Sequence, residues 1–498
     1  MNLSLLILFP ALTGLVILLS GKDQAKRIAL AGAFVQLGLT LFLLMNFWAD
    51  SALPAATQFI YEYNAAWFPA LQINYHIGVD GISVAMILLT AFVVFAGILM
   101  SWKIEKMQKE FFFLLTILGA GAYGFFISLD LFLMFFFLEV AVIPKFMLIG
   151  IWGSGKKIYS ANKLALMLMA GSALVLIGLL GVYFLSNSGT SGFDLTLISA
   201  NGIPKDVQLY FFPFLFVGFG VFTALFPFHT WVPDGHSSAP TAASMFLAGI
   251  SMKLGGYGCL RVATYLMPEA AAHYSWIIIL LATIAIIYGA FATMMQTDLK
   301  YMNAYSSVSH CGFVLLGIGM LTPTAVTGAV LQMVSHGLMT ALFFAAIGML
   351  YERAHTREVS KLGGLLKVMP FISTVFFIAG LCSLGLPGLS GFVAEMTVFV
   401  GSWERVELMY RLATILACMS IVVTAVYILR ATGKALMGPI VNPEFAGLKD
   451  ADWNEKLAGV VLIAGILAMG IMPFWLKDLV GPGAVEIMEQ IKGVALLK

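Results

Sequence analysis

Runs of roughly twenty apolar residues follow one another along almost the whole chain, and a run of that length is what an α-helix needs to cross a bilayer. About fourteen can be marked, starting near residues 3, 27, 82, 111, 130, 163, 208, 240, 275, 303, 324, 371, 407 and 457. The longest polar stretches between them are residues 48–80, 187–207, 351–368 and 433–456, none long enough for a separate domain. Of the 498 residues, 61% are hydrophobic and 10% charged, whereas a soluble domain carries about 25% charge. The expectation is an all-α membrane protein, one helical bundle with lipid as its main partner.

The first run, LSLLILFPALTGLVILL, has no basic start and no small-residue cleavage site, so it is expected to be a true span. Cys259, Cys311, Cys382 and Cys418 each stand alone in apolar runs. With no C-x-x-C and no Cys/His cluster, a metal, haem or iron–sulfur centre is not expected. The absence of a Gly-rich phosphate loop after a strand argues against a nucleotide, and no nucleic acid partner is expected.

Basic residues divide unevenly between the two ends of the spans. Loops on one side carry 18 of the 27 lysines and arginines. The other side carries 7, Arg261, Lys492 and Lys498 among them, and Lys145 and Lys253 lie inside spans. The positive-inside rule then places both termini outside the cytoplasm. With no transit peptide, a bacterial inner membrane is the expected location.

Charges inside the apolar runs carry the functional signal. Glu139 and Lys145 sit in LFLMFFFLEVAVIPKFMLIGIW, Lys253 in MFLAGISMKLGGYG, and Glu395 in GLPGLSGFVAE. His310 in SVSHCGF and His336 in MVSHGLM join them, with His229 at a helix break. A charge at the bilayer centre costs about 2.5–3.5 kcal/mol on insertion scales, so each needs a reason. Burial disfavours the charged form of either sign and a nearby opposite charge restores it. A separable Glu–Lys pair is therefore a gate for protons, and histidine titrates near neutral pH unaided. The bland alternative is a static ion pair that fixes helix packing. Four charges and two histidines in one bundle favour proton conduction. Asp298 and Lys300, in TDLKYMNAY, read as structure at a helix end, with a lesser case for a proton entrance.

Two spans look broken, one at FPFHTWVPD (226–234) and one at GLPGLSGFVAE (385–395). Proline removes a backbone donor and glycine loosens a helix, and the freed groups survive only against protein or water. Paired breaks in the two halves of a membrane protein suggest inverted repeats with a transport site between them.

FPFHTWVPDGHSSAPTAASMFLAGISMKLGGYG, DLKYMNAYSSVSH and GLPGLSGFVAE resemble the antiporter-like membrane subunits of respiratory complex I, over about residues 78–440. Within that family, Glu395, the chain length and YERAHTREVSKLGGL fit the subunit M pattern. The resemblance implies fourteen transmembrane helices and two inverted five-helix repeats with helices 7 and 12 broken. It divides the chain into N-terminal helices (1–105), a first repeat (108–266), a second repeat (275–432) and a last helix (455–478). It further implies that Glu139, Lys253, His310, His336 and Glu395 form a proton relay. NADH, FMN, iron–sulfur clusters and quinone would belong to other subunits, and none to this chain. Its partners would be other membrane-arm subunits, especially the flanking subunits L and N.

One position departs from the family. A lysine is usual seven residues before the histidine of PFHTW, and here that residue is Phe222. Lys145 is the unexpected amine, and it is proposed as the substitute for the lysine absent at 222. Six residues along a helix is about 9 Å of rise and about 240° past a full turn, so Glu139 and Lys145 do not face each other directly. Pro144 can kink the helix. Lys145 either fills the space around Phe222 or snorkels to the cytoplasmic surface, where Trp152 and Lys156 follow.

The leading expectation is a proton-translocating subunit of NADH–quinone oxidoreductase. Its rivals are a subunit of a multisubunit cation/proton antiporter or membrane-bound hydrogenase, and, from another class, a non-conducting structural spacer. A transporter of organic solutes fits less well, because the polar groups inside the spans are mostly titratable.

Overall fold

The computed structural model describes residues 2–51, 58–185 and 192–496. Lys498, the side chain of Lys492 and parts of the polar stretches 48–80 and 187–207 lie outside the described residues. The order of helices is α1 (Leu5–Leu19), α2 (Ala25–Ser51), α3 (Gly81–Met100), α4 (Gln108–Ile127), α5 (Leu131–Trp152), α6 (Lys157–Leu185) and the short α7 (Leu195–Asn201). Then follow α8 (Lys205–Thr223), α9 (Trp231–Ser238), and a helix over residues 241–266 whose regular pieces are α10 (Thr241–Phe246) and α11 (Met252–Gly258). The second half holds α12 (Pro268–Met294), α13 (Leu299–Gly319), α14 (Pro323–Ala354), α15 (Pro370–Ser383), α16 (Ser390–Trp403), α17 (Leu408–Leu436), α18 (Trp453–Ile471) and α19 (Phe474–Leu496).

Polar punctuation starts these helices. Asp80 accepts from the Ser83 amide at the head of α3, Asp130 from Phe132 and Leu133 at α5, and Asp298 from Lys300 and Tyr301 at α13. Each satisfies amides that the first turn leaves without partners. Proline opens α12, α14 and α15, where a missing N–H costs nothing.

Among the described residues, ten helices are long and apolar enough to cross a membrane. In α14 all of the apolar window (100%) is buried against the rest of the protein, against 39% in α2, α17 and α18, so α14 is an axis and the others keep an apolar side facing out of the bundle. Both expected breaks are present. Helix α8 ends at Thr223, Ala224 has φ 69°, and α9 resumes at Trp231. Helices α15 and α16 are separated by a turn containing Gly385 (φ 74°) and Gly388 (φ 92°).

Three features correct the expectation. The polar stretch ahead of α3 is not all loop: β1 (Ile60–Phe68) and β2 (Ile73–Val79) form an antiparallel hairpin, so the protein is mostly helical rather than all-α. Tyr, Trp, Phe, Ile and Val dominate these strands, and such residues favour a pleated surface. The last expected helix, 455–478, is two elements: α18 stops at Ile471 and α19 follows. Arg261, counted among outward-facing basic residues, is 1% exposed inside the bundle, paired with the Asp80 carboxylate and surrounded by the rings of Phe59, Tyr257 and Tyr265.

Candidate functional site

The helix over residues 241–266 widens twice into π turns, Leu247–Ser251 and Cys259–Thr264. Such turns displace the backbone ladder and occur often at functional sites. Lys253 stands just after the first. Its amine, 1% exposed, donates to the Ala248 carbonyl inside that turn and reaches His336 Nδ1 at 2.8 Å. The helices come together through glycines: a Cβ at Gly337 would stand 2.8 Å from the Gly249 carbonyl oxygen. Small residues at a crossing let backbones approach this closely.

From His336 the line continues. Its ring stacks on His310 with centroids 5.3 Å apart. His310 Nδ1 lies 3.4 Å from Glu395 Oε1 and 3.3 Å from Gln332 Nε2, while Nε2 contacts Ser383 Oγ at 3.0 Å. Glu395 is 4% exposed, at the start of α16 beyond the break, and a Cβ at Gly385 would press to 2.8 Å from its Oε2. Thus Lys253, His336, His310 and Glu395 form one file of titratable groups crossing from the first half of the chain to the second.

The contacts permit hand-over. When Lys253 is charged it donates to His336 Nδ1, which leaves the hydrogen of a neutral His336 on Nε2. That nitrogen is buried without a hydrogen-bond partner, a costly state that calls for a reason. His310 Nδ1 faces a donor and an acceptor at once. Bare, it accepts from the Gln332 amide; protonated, it donates to Glu395. The ring therefore has a partner for Nδ1 on either side without moving.

Lys145 lies beside this file. Its amine is 1% exposed, donates to Ser251 Oγ at 2.6 Å and sits over the ring of Phe222 with 5.7 Å to the centroid. It does not snorkel. Glu139 is half-buried and touches none of the other candidates; its Oε1 is buried with no hydrogen-bond partner. His229 also stands apart, packed against the rings of Phe226 (5.5 Å) and Tyr288 (4.9 Å) near the Lys163–Asp234 pair. Lys300 is buried rather than interfacial, with its amine on the Ala239 carbonyl at 2.6 Å.

His236 was not foreseen. It is fully buried, stacked on Phe344, and neither ring nitrogen has a hydrogen-bond partner. Its signal was a second histidine seven residues after His229 in the same broken stretch. Gln332 had a signal too, four residues before His336 and so on the same helix face. Among the described residues no group of three or more His, Cys, Asp or Glu could hold a metal ion.

A transmembrane family described as NADH:quinone oxidoreductase/Mrp antiporter matches residues 128–424, which contain every group of the file. The chain is 36% identical over 482 residues to NADH-quinone oxidoreductase subunit M of Rickettsia bellii, covering 95% of each. A chain of the respiratory complex I of Thermus thermophilus superposes with a TM-score of 0.89 at 26% identity, covering 98% of this chain and 99% of that one. A chain of the Mrp complex of Dietzia sp. shares the fold, with a TM-score of 0.82 at 18% identity and the same coverage.

Proposed function

The chain belongs to the NADH:quinone oxidoreductase/Mrp antiporter family of transmembrane proteins, and on that footing we propose that it is the proton-translocating membrane-arm subunit M of an NADH–quinone oxidoreductase. The observation that carries this reading is the buried file from Lys253 through His336 and His310 to Glu395, each member in hydrogen-bond, ring or ion-pair contact with the next. Such a file moves protons by exchanging them between fixed side chains. NADH oxidation and quinone reduction belong to companion subunits, and this chain couples to them by conformation or field.

In this reading Lys253 takes a proton from the first half of the chain and releases it to His336. The histidines pass it to Glu395, which discharges it on the opposite side. Glu139 loads the first half, and its unpartnered carboxylate oxygen fits a group that exchanges rather than braces. His229 belongs to the approach at the first break.

The fourteen spans of this architecture are read as the ten apolar helices with α1, the π-interrupted helix, α13 and the broken pair α15–α16, α19 standing outside the count. The breaks α8–α9 and α15–α16 occupy corresponding places in two repeats, 108–266 and 275–432. Other membrane-arm subunits, L and N, flank the chain in a bacterial inner membrane, with both termini outside the cytoplasm. Identity of 36% over nearly the full length with a subunit M favours this assignment over a cation/proton antiporter, since the superposed Mrp chain is 18% identical.

The test is the purified complex in liposomes with Lys253→Met. Removing a positioned proton-transfer group costs roughly 10²-fold in its step, so proton uptake per NADH oxidised should collapse with the subunits still assembled. Normal uptake in the assembled variant would sink the reading.

A further inference from the structure

Cations that brace this fold meet carboxylates: the buried Arg261 meets Asp80, and the half-buried Arg353 meets Glu455 at 2.6 Å. Lys145, like Lys253 and Lys300, is buried and hydrogen-bonded only to neutral oxygen or nitrogen. We propose that Lys145 is a proton-exchanging amine in the path through this chain, and that the Ser251 hydroxyl is its positioning residue, holding it over the ring of Phe222. The inference rests on the proton-translocating reading above and adds a second amine to it.

The chemistry of the partner is the argument. A carboxylate would favour the ammonium and hold its proton. A hydroxyl is donor and acceptor at once. The charged ammonium donates to Ser251 Oγ, and the neutral amine accepts the hydroxyl hydrogen on its lone pair. The contact survives either state, so the proton can leave without the side chain being released. The face of Phe222 steadies the cation and supplies no atom that could take the proton. The Glu139 carboxylate, whose charge bears on Lys145, is the partner in the exchange: it becomes the neutral acid as the ammonium becomes the amine and gives the proton back as the amine is recharged, while the serine keeps its own.

The placement matches the role. Ser251 closes the first π turn two residues before Lys253, so both amines are held by one irregular stretch of one helix. Lys145 shares α5 with Glu139, whose carboxylate has a buried oxygen without a partner.

The intact complex is purified with this chain carrying Lys145→Met, Lys145→Arg, Ser251→Ala, or Lys145→Met with Phe222→Lys. Proton uptake per NADH oxidised is measured in liposomes across pH, beside the content of companion subunits and the Lys253→Met reference. Arginine keeps the charge and the donor and cannot release its proton at physiological pH. Met and Arg variants should both slow uptake by roughly 10²-fold, and the double variant should regain most of it, because an amine from position 222 reaches the same space. Ser251→Ala, the smallest change, should shift the pH profile of uptake; should the larger substitutions fail to assemble, an unchanged profile in Ser251→Ala overturns the proposal. Normal uptake in an assembled Met or Arg variant, with Lys253→Met blocked, overturns the role of Lys145 alone. Normal uptake in Lys253→Met overturns the translocating reading and this inference with it.

Discussion

An alanine methyl at position 337 would stand 2.8 Å from the carbonyl oxygen of Gly249, on the helix that carries Lys253. The two backbones would have to part, and His336, the next residue along, would move with them. Overpacking of this kind costs about 1–3 kcal/mol. Gly337→Ala is therefore expected to lower the thermal stability of the complex and to weaken proton uptake by lengthening the 2.8 Å contact of Lys253 with His336. Gly433→Ala, on an exposed helical position with nothing within 4 Å of an added Cβ, should leave both measurements unchanged. Of the groups in the file, Lys253, His310, His336 and Glu395 were legible in the sequence, because a titratable side chain stands out in an apolar run. Ser251 and Ser383 were not, since hydroxyls are common in helix interiors and acquire meaning only when a partner is placed beside them; Gln332 carried only its spacing from His336. Arg261 escaped for a related reason: its carboxylate, Asp80, is 181 residues away in sequence, and no local pattern joins them.

Helices were legible nearly to their ends, because length and hydropathy alone define a span. The irregular elements were not. A π turn adds one residue to a turn without changing composition, so LAGIS reads as ordinary apolar helix. The hairpin β1–β2 was hidden by its polar setting, and its anchoring is tertiary: His76 in β2 lies 2.8 Å from Asp194 and 3.3 Å from Glu62, and Asn74 N donates to Asp130. Burial alone would push His76 down, but Asp194 and Glu62 outweigh it and hold the imidazole above its ordinary value of 6.5. A raised value means that the stabilisation is complete below about 6.5 and is lost as pH rises through the higher folded value. Asp194, held below its ordinary range although burial opposes this, loses its share only in acid. Asp130, pushed up to about 6 chiefly by burial, loses stability with rising pH over a lower window. Hydrogen exchange at residues 60–79, corrected for the intrinsic pH dependence of exchange, should thus be faster at about pH 8 than at about pH 6. His76→Gln should flatten that difference above pH 6.5; an unchanged difference would remove the histidine from the account.

Across the whole molecule, ion pairs gather the basic loops at one end. Lys103 reaches Asp452 at 2.7 Å, Arg353 reaches Glu455 at 2.6 Å, and Arg357 reaches Asp298 at 3.2 Å. These contacts join segments from four distant parts of the chain on one face of the bundle. The hairpin and α7 are held together elsewhere, by Asp194 on His76 and by pairing of the backbone around Leu129. Short basic loops are retained on the cytoplasmic side during insertion, so the end bearing Lys103, Arg353 and Arg357 should face the cytoplasm and the hairpin should face away. Two positions test this without disturbing the bundle. Glu105, exposed beside Lys103, and Asn64, exposed on β1, are each changed to cysteine. The native Cys259, Cys311 and Cys382 are buried, and Cys418 lies in the apolar helix α17, so a membrane-impermeant maleimide should report only the introduced thiol. Glu105→Cys should be labelled in inverted membrane vesicles and protected in intact cells stripped of their outer layers, and Asn64→Cys should show the reverse. Labelling of both from one side would mean that the two ends do not face opposite compartments. The opposite assignment would reverse the direction in which the file from Lys253 to Glu395 delivers its protons.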